Sequence, residues 1–139
     1  MYFFGHRDTP TNIKVPLKKT LELMIQEGVK DFFVGNNGNF DYLVQEALED
    51  NIKQGADINM TVVLSYVDEQ AIRANQIFTI YPEGLEKTPH RFAISKRNDW
   101  LISKADIVVV YVKHNLSNAH KWLDKANKKG CRVINLAKL

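Results

Sequence analysis

The chain has 139 residues, 45% of them apolar and 25% charged, a globular balance that excludes a disordered polypeptide and suits one domain over residues 1–139. Its 19 basic and 16 acidic residues leave a net charge of +3, too small and too dispersed to point to nucleic acid, but compatible with a small anionic ligand. The single cysteine, Cys131, excludes an internal disulfide or a multi-cysteine metal site and suits a reducing cytoplasm.

Taken in chain order, Tyr2–Phe4 reads as a short strand ended by Gly5, with His6, Arg7 and Asp8 just beyond it. The first residues lack the basic flank and longer apolar core of a signal peptide, and no later stretch reaches the roughly 20 apolar residues of a membrane span. Pro16 fits the first turn of a helix whose buried face is Leu17, Leu21, Met24 and Ile25, and Gly28 suits its C-terminal cap. Asp31–Val34 is the second strand. Gly35-Asn36-Asn37-Gly38-Asn39-Phe40-Asp41 then forms a tight turn into a helix carrying Phe40, Leu43, Val44, Ala47 and Leu48 on one side. Met60–Tyr66 is a third strand, apolar on both faces as in a parallel sheet.

The stretch from Val67 to Arg91 is the least regular. Asp68–Asn75 suits a short helix, Ile77–Tyr81 a strand, and the remainder a ligand-contacting loop. Phe92–Lys104 reads as a helix with a polar centre, Asp106–Val112 as a strand, Lys113–Leu116 as a turn. Ser117 is a candidate N-cap for a helix that buries Ala119, Trp122, Leu123 and Ala126. Arg132–Leu136 closes the chain as a strand. This alternation predicts an α/β fold, a three-layer Rossmann-like sandwich with a mostly parallel sheet. Such folds bind ligands beyond the C-terminal ends of the strands, where strand order reverses. That selects Gly5–Arg7, Gly35–Asp41 and Lys113–Asn118.

Each candidate has a functional and a structural reading. The Gly35–Asp41 turn opens a helix, where unpaired N–H groups and the positive end of the dipole suit an anion. It lacks the Gly-Lys-Ser/Thr ending of a P-loop and the three-glycine spacing of a dinucleotide fingerprint. Its structural reading is a connection that needs positive φ at Gly or Asn. Arg7 suits a bidentate contact to phosphate or carboxylate, or a salt bridge to Asp8. Arg97 and Asn98 suit either a ligand or a solvated helix face. Asp41 and Glu46 are the nearest carboxylates for glycosidic chemistry, with helix-end charge and plain surface as their structural readings. Ser117 and Asn118 suit a cap and a ligand hydrogen bond. The four histidines show no metal-binding spacing, and no cofactor motif is present.

Together these stretches resemble the SLOG superfamily (Smf/DprA–LOG), closest to its small YpsA-like bacterial and phage members. The resemblance rests on Gly5-His6-Arg7, on Gly35 to Asp41, on Lys96-Arg97-Asn98-Asp99-Trp100 leading into Ala105-Asp106-Ile107-Val108-Val109-Val110-Tyr111, and on Ser117-Asn118-Ala119. It implies a site for a nucleotide or a nucleotide-derived molecule, NAD- or ADP-ribose-related, formed by Gly5, His6, Arg7, Gly35, Asn36, Asn37, Gly38, Asn39, Asp41, Arg97, Asn98, Ser117 and Asn118. The Pro-Gly-Gly-x-Gly-Thr-x-x-Glu motif of LOG hydrolases has no equivalent, since Leu116-Ser117-Asn118-Ala119 stands in its place. The expectation is therefore a sensing or sequestering module. An N-glycosidase using Asp41 or Glu46 and a non-catalytic interaction scaffold are the alternatives. A homo-oligomer is left open, because Phe78, Tyr81 and Trp122 suit an interface as well as a core.

Overall fold

In a computed structural model, residues 1–6, 8–64, 78–80, 85–89, 92–113 and 118–138 are described. Arg7, Ser117, the expected helix at Asp68–Asn75, Tyr81 and most of the 67–91 loop lie outside these residues.

The apolar runs form six strands: β1 (Tyr2–Gly5), β2 (Asp31–Val34), β3 (Asn59–Val63), β4 (Phe78–Ile80), β5 (Ile107–Tyr111) and β6 (Arg132–Asn135). They join in one sheet of order β4-β3-β2-β1-β5-β6, and every pairing is parallel. Successive strands step outward from β1 to β4, and the chain then returns to β5 on the other side of β1. The strand order therefore switches between β1 and β5, where Tyr2–Gly5 runs in register with Val108–Tyr111.

Four helices are described: α1 (Lys14–Gln26), α2 (Asn39–Lys53), α3 (Ala93–Lys104) and α4 (Asn118–Lys129). The period-2 alternation of the strands divides the core into two layers. Phe3, Phe32, Val34, Met60, Val62 and Val109 pack with Leu17, Leu21 and Met24 of α1 and Phe40, Val44 and Leu48 of α2. Tyr2, Phe4, Val108 and Val110 point the other way and pack with Leu101 and Ile102 of α3 and Ala119, Trp122 and Ala126 of α4. The expected three-layer α/β sandwich is thus the architecture. Its described strands are all parallel, and Trp122 belongs to its core. Trp100 and Cys131 are only partly buried at the edge of that second layer.

Helix ends are fixed by charge and by glycine. Lys129, in the last turn of α4, donates from Nζ to the carbonyl oxygens of Ile102, Ser103 and Ala105 at 2.7, 2.6 and 3.0 Å. Ile102 and Ser103 belong to the last turn of α3 and Ala105 is its C-cap, so the cation meets the negative end of the helix dipole. Among the described residues, no helix is long and apolar enough to cross a membrane.

Candidate functional site

The turn after β2 begins with a glycine whose Cα is enclosed by charge. A methyl group on Gly35 would lie 2.7 Å from Arg97 Nη1 and 2.7 Å from Asp41 Oδ2. Only a hydrogen fits between the two groups. The guanidinium arrives from α3 and the carboxylate from the first turn of α2. The turn ends at Gly38, whose φ of 99° is the left-handed conformation that L side chains avoid. No described non-glycine residue has positive φ. The three asparagines are therefore not there for backbone shape.

Two of them act through their side chains. Asn37 Oδ1 accepts a hydrogen bond from Arg97 Nη1, and Asn37 N–H donates to Asp41 Oδ2 at 2.8 Å. Asn39 Nδ2 donates to the carbonyl of Thr9, tying the turn to the loop after β1. Asn36 is different: its Oδ1 is buried and has no hydrogen-bond partner among the described residues. Gln45, one turn into α2, reaches back to the Gly35 carbonyl at 2.8 Å.

Behind the turn lies a buried polar cluster. Arg97, Asn98 and Asp41 are 3%, 4% and 5% exposed, which rules out the solvated face that their polarity suggested for Arg97 and Asn98. Arg97 Nε and Nη2 donate to Asn98 Oδ1 at 3.3 and 3.1 Å, and the Tyr2 hydroxyl donates to the same oxygen. Burial pushes the Tyr2 phenol above its ordinary pKa; the Arg97 cation opposes the shift and the Asp41 carboxylate adds to it. Burying charge is costly unless each polar atom finds a partner. These bonds satisfy the guanidinium while locking α3, β1 and the turn to one another.

The remaining candidates divide. Gly5 has a packing role, since a methyl group there would lie 2.7 Å from the Phe40 ring, which seats the head of α2 on β1. His6 joins the loop after β1 to the loop after β5, its Nε2 accepting Lys113 N–H at 2.9 Å. Asn118 opens α4. Glu46 is not at the turn: it faces the groove between α1 and α2, 3.7 Å from Lys14 Nζ, with its side chain mostly exposed. Among the described residues, no cluster of His, Cys, Asp and Glu could hold a metal ion.

The head of α2 carries backbone donors without partners among the described residues. The N–H groups of Gly38, Asn39 and Phe40 make no hydrogen bond among the described residues, and the first helical bond of α2 is Tyr42 N–H to Gly38 O at 3.3 Å. These donors head a 15-residue helix, beyond the C-terminal end of a strand adjoining the switch point. Sequence reasoning missed Tyr2, Thr9 and Gln45 as supports of this turn. The one local signal was a tyrosine hydroxyl inside an otherwise apolar strand.

Comparison of the sequence with models of protein families finds no match, and comparison with curated proteins finds none either.

Proposed function

We propose that the protein binds a nucleotide or nucleotide-derived small molecule, of the NAD or ADP-ribose class, at the C-terminal ends of the strands, as a cytoplasmic sensing or sequestering module of the SLOG type. The observation that carries this reading is the trio of N–H groups at Gly38, Asn39 and Phe40 that have no partner among the described residues, on a turn braced from behind by Arg97. Backbone donors at a helix head match a phosphate or pyrophosphate in both geometry and charge. The buried Asn36 Oδ1 supports a ligand richer than a bare phosphate, because it offers a place for a hydroxyl or amine donor.

Recognition is a better fit than hydrolysis. An N-glycosidase needs a carboxylate facing the anomeric carbon. Asp41 is buried and accepts the Asn37 N–H, and Glu46 pairs with Lys14 in another groove. The test is a thermal-shift and calorimetric screen with AMP, NAD, ADP-ribose and cyclic nucleotides. At ligand levels of about 100 times the dissociation constant, the bound form should gain roughly 2.7 kcal/mol. Chromatography should recover the ligand intact. Absence of stabilisation by every member of the panel would remove the proposal.

A further inference from the structure

At the switch point, β1 and β5 are closed at their C-terminal ends by one histidine. His6 is buried, and its backbone N–H donates to the Tyr111 carbonyl at 3.3 Å, extending the β1–β5 pairing. Its carbonyl accepts the Thr9 N–H at 3.2 Å and also the Thr9 hydroxyl. Its ring stands edge-on to Tyr111, with centroids 5.8 Å apart. Its Nε2 accepts the backbone N–H of Lys113 at 2.9 Å.

The last bond sets the protonation state. A backbone N–H can only donate, so Nε2 must keep a free lone pair; an imidazolium has none. A proton on Nε2 and the bond to Lys113 exclude one another. Histidine is also the side chain that ordinarily changes charge near neutral pH. We propose that His6 is a pH-operated latch between the loops that follow β1 and β5. It is closed while the ring is neutral and released when the ring is protonated.

Among the described residues, the ionisable groups on the elements that meet His6 are Asp8 on its own loop, Tyr111 at the end of β5 and Lys113 just past it, and Asp41 in the first turn of α2. Asp8 and Lys113 are exposed, Tyr111 is buried, and Asp41 is engaged with Asn37. None of these replaces the lost acceptor, because the incoming proton sits on the atom that Lys113 N–H needs. Release would reach the turn after β2 as well, since Thr9 accepts from Asn39 and is itself held by His6. The latch stands on the hydrogen bonds alone; only its effect on a ligand rests on the proposed site.

The test uses the full chain without ligand, isotope-labelled for NMR and titrated from about pH 8 to about pH 5. The His6 ring proton shifts and the Lys113 amide shift should move with one midpoint, and the Lys113 amide should lose its hydrogen-exchange protection across it. In His6→Gln, whose side-chain oxygen accepts without titrating, the Lys113 amide shift should stay constant. A His6 ring that titrates with no change at Lys113, or that stays neutral throughout, overturns the latch. An unaltered Lys113 transition in the His6→Gln protein also overturns it. If that variant does not fold, the titration of the unmodified chain decides alone.

Discussion

Gly35 has no room for a side chain. Its missing side chain is what allows a guanidinium and a carboxylate from two different helices to meet over one backbone position, each 2.7 Å from where a Cβ would stand. Gly35→Ala should therefore destabilise the protein by about 1–3 kcal/mol, the usual cost of overpacking, read as a lower denaturant midpoint. Tyr2 makes a second prediction. Its folded-state phenol lies above the ordinary value of 10.0, chiefly through burial. A proton is thus held more tightly in the folded chain than in the unfolded one. The stabilisation is complete below the unfolded pKa and falls away as pH rises above about 10. Urea midpoints measured between about pH 8 and pH 11 should decline at the alkaline end, and Tyr2→Phe should flatten that decline. The same substitution removes the hydroxyl bond to Asn98, at a cost of about 1 kcal/mol at neutral pH.

At the scale of elements, the periodicities were legible and the cross-links were not. The apolar runs and the 3.6-residue pattern locate the strands and helices because those signals are local. The Gly-Asn turn was legible for the same reason: a strand stops, glycines follow, and an amphipathic pattern begins. The structural reading of its asparagines, positive φ, does not hold: within the turn only Gly38 adopts it, and Asn37 and Asn39 spend their side chains on Arg97 and Thr9. Arg97 stood out as a polar residue in mid-helix, but its burial could not be read from its own helix. Its partner Asn37 is 60 residues away, and its burial follows from the β1–β5 crossover rather than from neighbouring residues. Glu46 keeps its plain surface reading. It is near the turn in sequence, but one helical turn rotates it toward α1. Element ends supply a prediction of their own. Lys129 caps α3 from α4, so Lys129→Met should cost about 1 kcal/mol, with faster hydrogen exchange confined to the last turn of α3.

For the whole molecule, the parallel sheet gathers the ends of β1, β2 and β5 at one edge, and hydrogen bonds then tie them together. His6 joins β1 to β5 through Lys113, Asn39 joins α2 to the loop after β1, and Arg97 joins α3 to the turn after β2. A rigid frame thus surrounds a short stretch of backbone donors that nothing described within the chain satisfies. The fold alone does not define a ligand. The central claim is that those donors are the ligand's partners. Its most direct measurement is an NMR titration of the labelled chain with ADP-ribose, with AMP and inorganic phosphate as comparisons. Saturable shifts should centre on the amides of Gly38, Asn39 and Phe40, and the nucleotides should bind more tightly than phosphate. Saturable binding that leaves those three amides unmoved, or no binding by any of the three, would contradict the claim.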